Sequence, residues 1–207
     1  MMAGRFISFE GGEGAGKSTQ IARLAVRLRA GGEDVVLTRE PGGTAGAEEI
    51  RALFVAGGAG RWTAESDALL VMAARADHVA RLIRPALAAG KTVLCDRYVH
   101  STLAYQGHGK GLPVEQLRTL HTFATGDLWP DMVLWLDLPA ETGLARRAAA
   151  DGASGQRFEQ LPTAFHQRVR DGFTALAATD PRMVRIDAAQ PADLVEAAIA
   201  EALSQLS

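Results

Sequence analysis

The chain of 207 residues has a single cysteine, Cys95, which excludes an intramolecular disulfide and a zinc site built on cysteines and fits a reducing compartment. Excess charge of one sign is also missing. The 22 Lys and Arg stand against 24 Asp and Glu for a net charge of −2, so a broad nucleic-acid surface is excluded, and an anionic ligand must be met by local positive groups. Long hydrophobic runs are absent too: the longest, Ala68 to Ala74, is closed by Asp67 and Arg75, well short of the roughly 20 residues of a membrane span. Ahead of Glu10 stand only Arg5 and a few apolar residues, without the apolar core of a secretory signal. The expectation is a cytoplasmic protein with no membrane or nucleic-acid partner. A content of 47% hydrophobic and 22% charged residues rules out disordered and fibrous classes, and the length fits one domain over 1–207.

Short β-branched or aromatic runs alternate with longer Ala/Leu-rich stretches of helical spacing, the pattern of a parallel sheet wrapped by helices. The runs predict strands at Phe6 to Glu10, Asp34 to Thr38, Thr92 to Asp96, Met132 to Asp137 and Met183 to Asp187. Helices are predicted near Lys17 to Ala30, Ala45 to Ala56, Ala64 to Ala89, Val114 to Ala124, Ala140 to Ala150, Thr163 to Ala178 and Ala192 to Leu206. Pro85 should kink the third or mark its last turns. Two Gly-rich stretches, Tyr105 to Pro113 and Ala150 to Gln156, read as loops, and both are expected to close over bound nucleotides.

The first strand runs into Gly11-Gly12-Glu13-Gly14-Ala15-Gly16-Lys17-Ser18-Thr19, which matches G-x-x-x-x-G-K-[ST] between a strand and a helix. Glycines let backbone N–H groups approach phosphate oxygens, and the helix start adds its positive end. Lys17 supplies a full charge at the transferred group, and the Ser18 hydroxyl suits Mg²⁺. The second metal-side group is expected at the end of another strand. Asp96 is the choice; Asp137 and Asp187 hold similar positions, where a solvated carboxylate is the simpler reading.

The acceptor must be argued separately, because phosphate cradles serve switches, motors and kinases alike. The second strand leads into Arg39-Glu40-Pro41-Gly42-Gly43-Thr44 and the third into Asp96-Arg97-Tyr98, which places two arginines at the ligand edge of a parallel sheet. Arg75, within an apolar helix segment, needs a partner, an acidic side chain or a ligand; the charge balance favours the ligand. ATP, Mg²⁺ and a monophosphate leave roughly −4 to offset, which Lys17, Arg39, Arg97 and one further arginine would meet. A monophosphate is largely ionised at neutral pH, so no general base is nominated.

Taken together, FEGGEGAGKST at 9–19, TREPGGT at 38–44, AARADH at 73–78 and DRYVHSTLAYQG at 96–107 resemble the bacterial thymidylate kinases. WPDMVLWLDLP at 129–139, RFEQ at 157–160 and IDAAQP at 186–191 extend the resemblance over nearly the whole chain. It implies a three-layer α/β P-loop NTPase fold, with a five-stranded parallel sheet flanked by helices and a short mobile lid at about 147–157. It also implies transfer of the γ-phosphoryl group of ATP to dTMP, a Mg²⁺ requirement and a homodimer. By the same resemblance, Arg39 and Arg97 hold the acceptor phosphate with Pro41 beside them, and Glu10 and Glu13 lie near the sugar 3′-hydroxyl and the metal's water shell. Arg75, Thr102 and Gln106 read the thymine edge, Tyr105 sits under the deoxyribose, and Gln190 borders the adenine.

Two departures stand out. Val71 occupies the place where the family stacks an aromatic ring on thymine, with Met72 as an alternative cover. The cradle has no arginine of its own, so the catalytic arginine is expected in the lid, Arg157 first and then Arg147. Val71 keeps open a kinase for another pyrimidine monophosphate, dUMP or a modified base. A regulatory switch is the more distant alternative; the guanine-reading N-K-x-D loop is absent where Asp137-Leu138-Pro139 stands.

Overall fold

The computed structural model describes residues 4–151, 157–158 and 160–206. Five strands, β1 (Phe6–Glu10), β2 (Val35–Arg39), β3 (Thr92–Asp96), β4 (Met132–Asp137) and β5 (Met183–Asp187), form an all-parallel sheet in the order β2-β3-β1-β4-β5. β1 and β4 are buried along their whole length, as expected of inner strands covered on both faces. The helices are α1 (Lys17–Ala30), α2 (Ala45–Val55), α3 (Ala64–His78), α4 (Arg84–Ala88), α5 (Val99–Thr102), α6 (Val114–Thr125), α7 (Ala140–Asp151), α8 (Thr163–Ala177) and α9 (Ala192–Ser204).

Alternate strand residues point to opposite faces and build two cores. On one face Phe6, Val93, Val133 and Trp135 pack with Ala68 of α3, Leu117 of α6 and Phe173 of α8. On the other, Ile7, Phe9, Leu94 and Leu134 pack with Leu24 of α1 and Ile199 of α9. The result is the expected three-layer arrangement.

Strand and helix ends fall within about two residues of the predicted ones, with β2 displaced by one residue. Two helical regions differ in kind. The predicted helix Ala64 to Ala89 is continuous in path but widens into a π-helical segment, Val79–Ile83, before α4. That widened stretch lies just ahead of Pro85, whose missing N–H and bulky ring disrupt regular α-helical bonding.

The stretch Tyr105 to Pro113 is not the predicted loop. Leu103–Gly109 continues α5 as a π-helical segment, and only Lys110 to Pro113 connect it to α6. Its glycines serve close packing: a Cβ on Gly109 would lie 2.7 Å from the Phe165 ring on α8. Of the predicted lid, Arg147 to Asp151 complete α7, and 152–156 lie outside the described residues.

Candidate active site

A cavity of about 470 Å³ opens at the carboxyl edge of the sheet, walled by the residues after β1, β2 and β3 and by α2, α3 and α5. The cradle forms one end. Gly16, at φ 85°, precedes α1 with no side-chain cap, so the N–H groups of the first turn are available to an anion. Gly14 allows the loop to meet α7 backbone to backbone, since a Cβ there would lie 2.1 Å from the Gly143 carbonyl.

Gly14 to Thr19 line the cavity together with Glu13. Gly11 and Gly12 are not on this wall; their carbonyls accept from Lys17 Nζ at 3.2 and 2.9 Å. Lys17 is buried, and burial followed by the nearby Arg97 charge pushes its pKa down. The Ser18 hydroxyl donates to Asp96 Oδ2 at 3.1 Å, so the helix and strand residues expected at the metal meet. A hydroxyl and one carboxylate beside a phosphate site form the sparse oxygen set that suits Mg²⁺, which keeps waters and substrate oxygens as its other ligands. No cluster of three or more His, Cys, Asp or Glu side chains offers another metal site among the described residues.

Arg97 occupies the junction between cradle and acceptor region. Its backbone is left-handed at φ 70°, a conformation that costs a non-glycine residue on the order of 1 kcal/mol or more. Local bonds hold it there: its N–H donates to the Phe9 carbonyl at 2.9 Å, and its carbonyl accepts from Cys95 Sγ at 3.0 Å. The guanidinium donates to the Gly11 carbonyl at 2.8 Å, Ser101 Oγ at 3.2 Å and Glu13 at 2.8 Å. Burial works against its charge, but the phenol of Tyr105 and the carboxylates of Glu13 and Asp96 raise its pKa overall.

The two acidic residues flanking this arginine differ. Glu13 lines the cavity; burial raises its pKa, but Arg97, Lys17 and a hydrogen bond from Tyr105 at 3.1 Å outweigh that and hold it at about 2. Glu10, expected near the sugar, is fully buried off the cavity wall. Its oxygens accept from Tyr98 N–H at 2.8 Å and Ser101 Oγ at 2.5 Å. Burial raises its pKa to about 7 against the lowering effects of Ser101 and Arg97.

Arg39 and Pro41, expected beside the acceptor phosphate, line the cavity. Arg39 is exposed and donates to Glu48 at 3.1 Å. Arg51, which the sequence reading missed, lines the same wall and donates to the Pro41 carbonyl at 2.7 Å. Burial and the nearby Arg39 charge depress its pKa. Its position in an ordinary amphipathic helix gave no local signal.

Arg75 finds an acidic partner in the protein while still lining the cavity. Its Nε donates to Glu40 at 2.6 Å, Nη2 to Thr102 at 2.9 Å and Nη1 to Met72 Sδ at 3.4 Å. One N–H remains on each terminal nitrogen. The other Glu40 oxygen lies 3.0 Å from His78 Nδ1, and His78 Nε2 lies 2.7 Å from Thr38 Oγ1. A carboxylate oxygen accepts, so the imidazole donates from Nδ1 to Glu40. Thr102, Gln106, Tyr105 and Val71 line the cavity beside Arg75; Met72 serves as a buried acceptor for it.

Two further expected residues do not line the cavity. Gln190 lies off the cavity and donates to Asp187 at 3.0 Å. Arg157 is buried, donates to Asp67 at 2.6 Å and does not line the cavity. Arg146 and Arg147 of α7 do line it, and Arg146 donates to the Ala188 carbonyl at 3.0 Å. Burial against two phenylalanine rings and an acidic partner on α3 keep Arg157 off the phosphate side.

Comparison with known proteins agrees with this geometry. The family model "Thymidylate kinase" matches residues 9–199. The chain is 53% identical over 206 residues to thymidylate kinase of Caulobacter vibrioides, covering 99% of this chain and 98% of the relative. It is 55% identical over 195 residues to that of Thermomicrobium roseum, covering 94% and 91%. The crystal structure of thymidylate kinase from Ehrlichia chaffeensis superposes with a TM-score of 0.77 at 33% identity, covering 97% of this chain and 99% of that one. With a glycine-rich cradle opening onto an arginine-lined cavity, a family model matched over most of its length and relatives matched nearly end to end, the chain belongs to the thymidylate kinase family.

Proposed function

We propose that the chain transfers the γ-phosphoryl group of ATP to dTMP, giving ADP and dTDP, within this one cavity. The observation that carries the reading is its continuity from the start of α1 to Arg75, Thr102 and Gln106. A donor phosphate on the cradle and a pyrimidine monophosphate on the far wall would meet beside Arg97.

The roles follow from position. The N–H groups of the first turn of α1 bind the donor phosphates, with Lys17 moving from the Gly11 and Gly12 carbonyls to a phosphate oxygen. Arg39, Arg51 and Arg97 hold the acceptor phosphate. Arg97, fixed between Gly11 and Glu13, stabilises charge on the transferred group without reorganising. Arg147, with Arg146 beside it, takes the part first expected of Arg157. Arg75 directs its remaining N–H groups to the carbonyl edge of thymine, with Thr102 and Gln106 adjacent. Tyr105, anchored by Glu13, lies against the deoxyribose. No side chain is needed as a base, because the attacking phosphate oxygen is already ionised.

Ser18 and Asp96 would hold Mg²⁺, which supplies charge neutralisation across the phosphates when bound. The large apolar side chains Phe123, Leu69 and Leu53 on α6, α3 and α2 are 90%, 56% and 49% exposed, which supports a homodimer formed on that helical face. No helix among the described residues is long and apolar enough to cross a membrane, in keeping with a cytoplasmic setting. The test is ADP release from Mg·ATP with each pyrimidine and purine monophosphate in turn. Thymidylate should lead by a wide margin; equal rates with another monophosphate would reject the proposed acceptor.

A further inference from the structure

The acceptor base is a flat π-system, yet one turn before Arg75 the cavity-facing side chain of α3 is Val71, which offers no plane to stack on. Among the described residues four rings line the cavity: Phe54, Tyr98, Tyr105 and Phe158. Two are committed elsewhere. Tyr98 is fully buried, with the Arg75 guanidinium 4.9 Å from its ring centre, and Tyr105 lies 5.1 Å from the Arg97 guanidinium with its hydroxyl on Glu13. Phe54 is nearly buried, whereas Phe158 is only partly covered. Their rings are 5.2 Å apart, and Phe158 meets Tyr105 edge-on at 5.9 Å.

Phe158 lies on a short turn, so something must hold its ring. Asp67, in the first turn of α3, is wholly buried and pairs with both Arg157, at 2.6 Å, and Lys110. The Arg157 guanidinium lies 4.6 Å from the Phe158 ring centre and 5.1 Å from that of Phe54, and Lys110 Nζ is 5.8 Å from Phe158. Among the described residues Arg157 Nε and Nη1 have no hydrogen-bond partner, and the two phenylalanine rings lie against that guanidinium. A buried ion cluster of this kind is a costly way to gain stability and a good way to fix one arrangement.

We infer that Phe158, backed by Phe54, supplies the aromatic wall against which the acceptor base stacks, and that Asp67 is a positioning residue holding this wall through Arg157 and Lys110. This rests on the pyrimidine monophosphate reading of the same cavity. It gives Arg157 a place behind the base rather than on the phosphates.

The test is steady-state kinetics of the full-length protein as wild type, Phe158→Leu, Phe158→Tyr and Asp67→Asn, with thermal melting to confirm folding. Phe158→Leu should raise KM for dTMP by about tenfold, the scale of one lost base–ring stack, with kcat and KM for ATP within about twofold. Phe158→Tyr, which keeps the ring, should restore wild-type KM. Asp67→Asn should raise KM for dTMP in the same direction without lowering kcat in proportion; should it not fold, the two Phe158 variants decide the stacking wall and Lys110→Met replaces it for the positioning claim. Unchanged dTMP KM in Phe158→Leu, or a fall in kcat alone, overturns the inference. The acceptor reading fails separately, if wild type itself does not turn over dTMP; a Phe158→Leu loss of affinity for whichever monophosphate it does use would still support the wall.

Discussion

The Ser18 hydroxyl donates to Asp96 Oδ2 at 3.1 Å, joining the first turn of α1 to the last residue of β3. Among the described residues no group of three or more His, Cys, Asp or Glu side chains could hold a metal, so Asp96 should be the main carboxylate on Mg²⁺. Asp96→Asn keeps the size and an acceptor but loses the charge. It should lower kcat by roughly 10²-fold at fixed Mg²⁺ and shift the Mg²⁺ dependence to higher concentration, read by titrating the metal at saturating nucleotides.

Arg97→Ala removes a group already in place before transfer. KM for dTMP should rise and kcat should fall together, with kcat/KM reduced by at least about 10²-fold. A rise in KM alone would restrict Arg97 to binding.

Glu10 should make stability depend on pH. Its pKa rises from 4.5 to about 7 on folding, so the folded state binds more protons in that interval. The associated stability is fully present below about pH 4.5 and is lost as pH rises through 7. Glu10→Gln should abolish this component. The difference in unfolding free energy between variant and wild type, followed by thermal melting, should grow in the variant's favour from pH 5 to pH 8, by on the order of 1–3 kcal/mol.

Gly109→Ala places a methyl 2.7 Å from the Phe165 ring and should cost about 1–3 kcal/mol by overpacking. Thermal unfolding should show a lower Tm. A neutral result would mean that α8 can move away from the π-helical segment.

Phe123→Glu puts a charge at a side chain that is 90% exposed. If α6 contributes to a homodimer, sedimentation should show the wild type as a dimer and the variant as a monomer. A dimeric variant would place the interface elsewhere.

The sequence by itself determined the strand–helix alternation, the cradle at 11–18 and the facing Asp96, because these depend on local periodicity, glycine spacing and position at strand ends. It also singled out Arg97 and Arg75, both of which the fold places on the cavity wall. Tertiary structure decided the rest. Glycines at 107 and 109 read locally as a loop, but close approach to α6 at Gly107 and to α8 at Gly109 gives them a packing role. Glu40, chosen by Arg75 and His78, and Arg51 on the acceptor wall carry no local pattern that distinguishes them. Arg157 has the same composition signal as Arg147, yet burial beside Asp67 assigns it a different role. An arginine's sequence position tells that a charge is available; only the surrounding fold fixes which carboxylate, ring or phosphate that charge can reach.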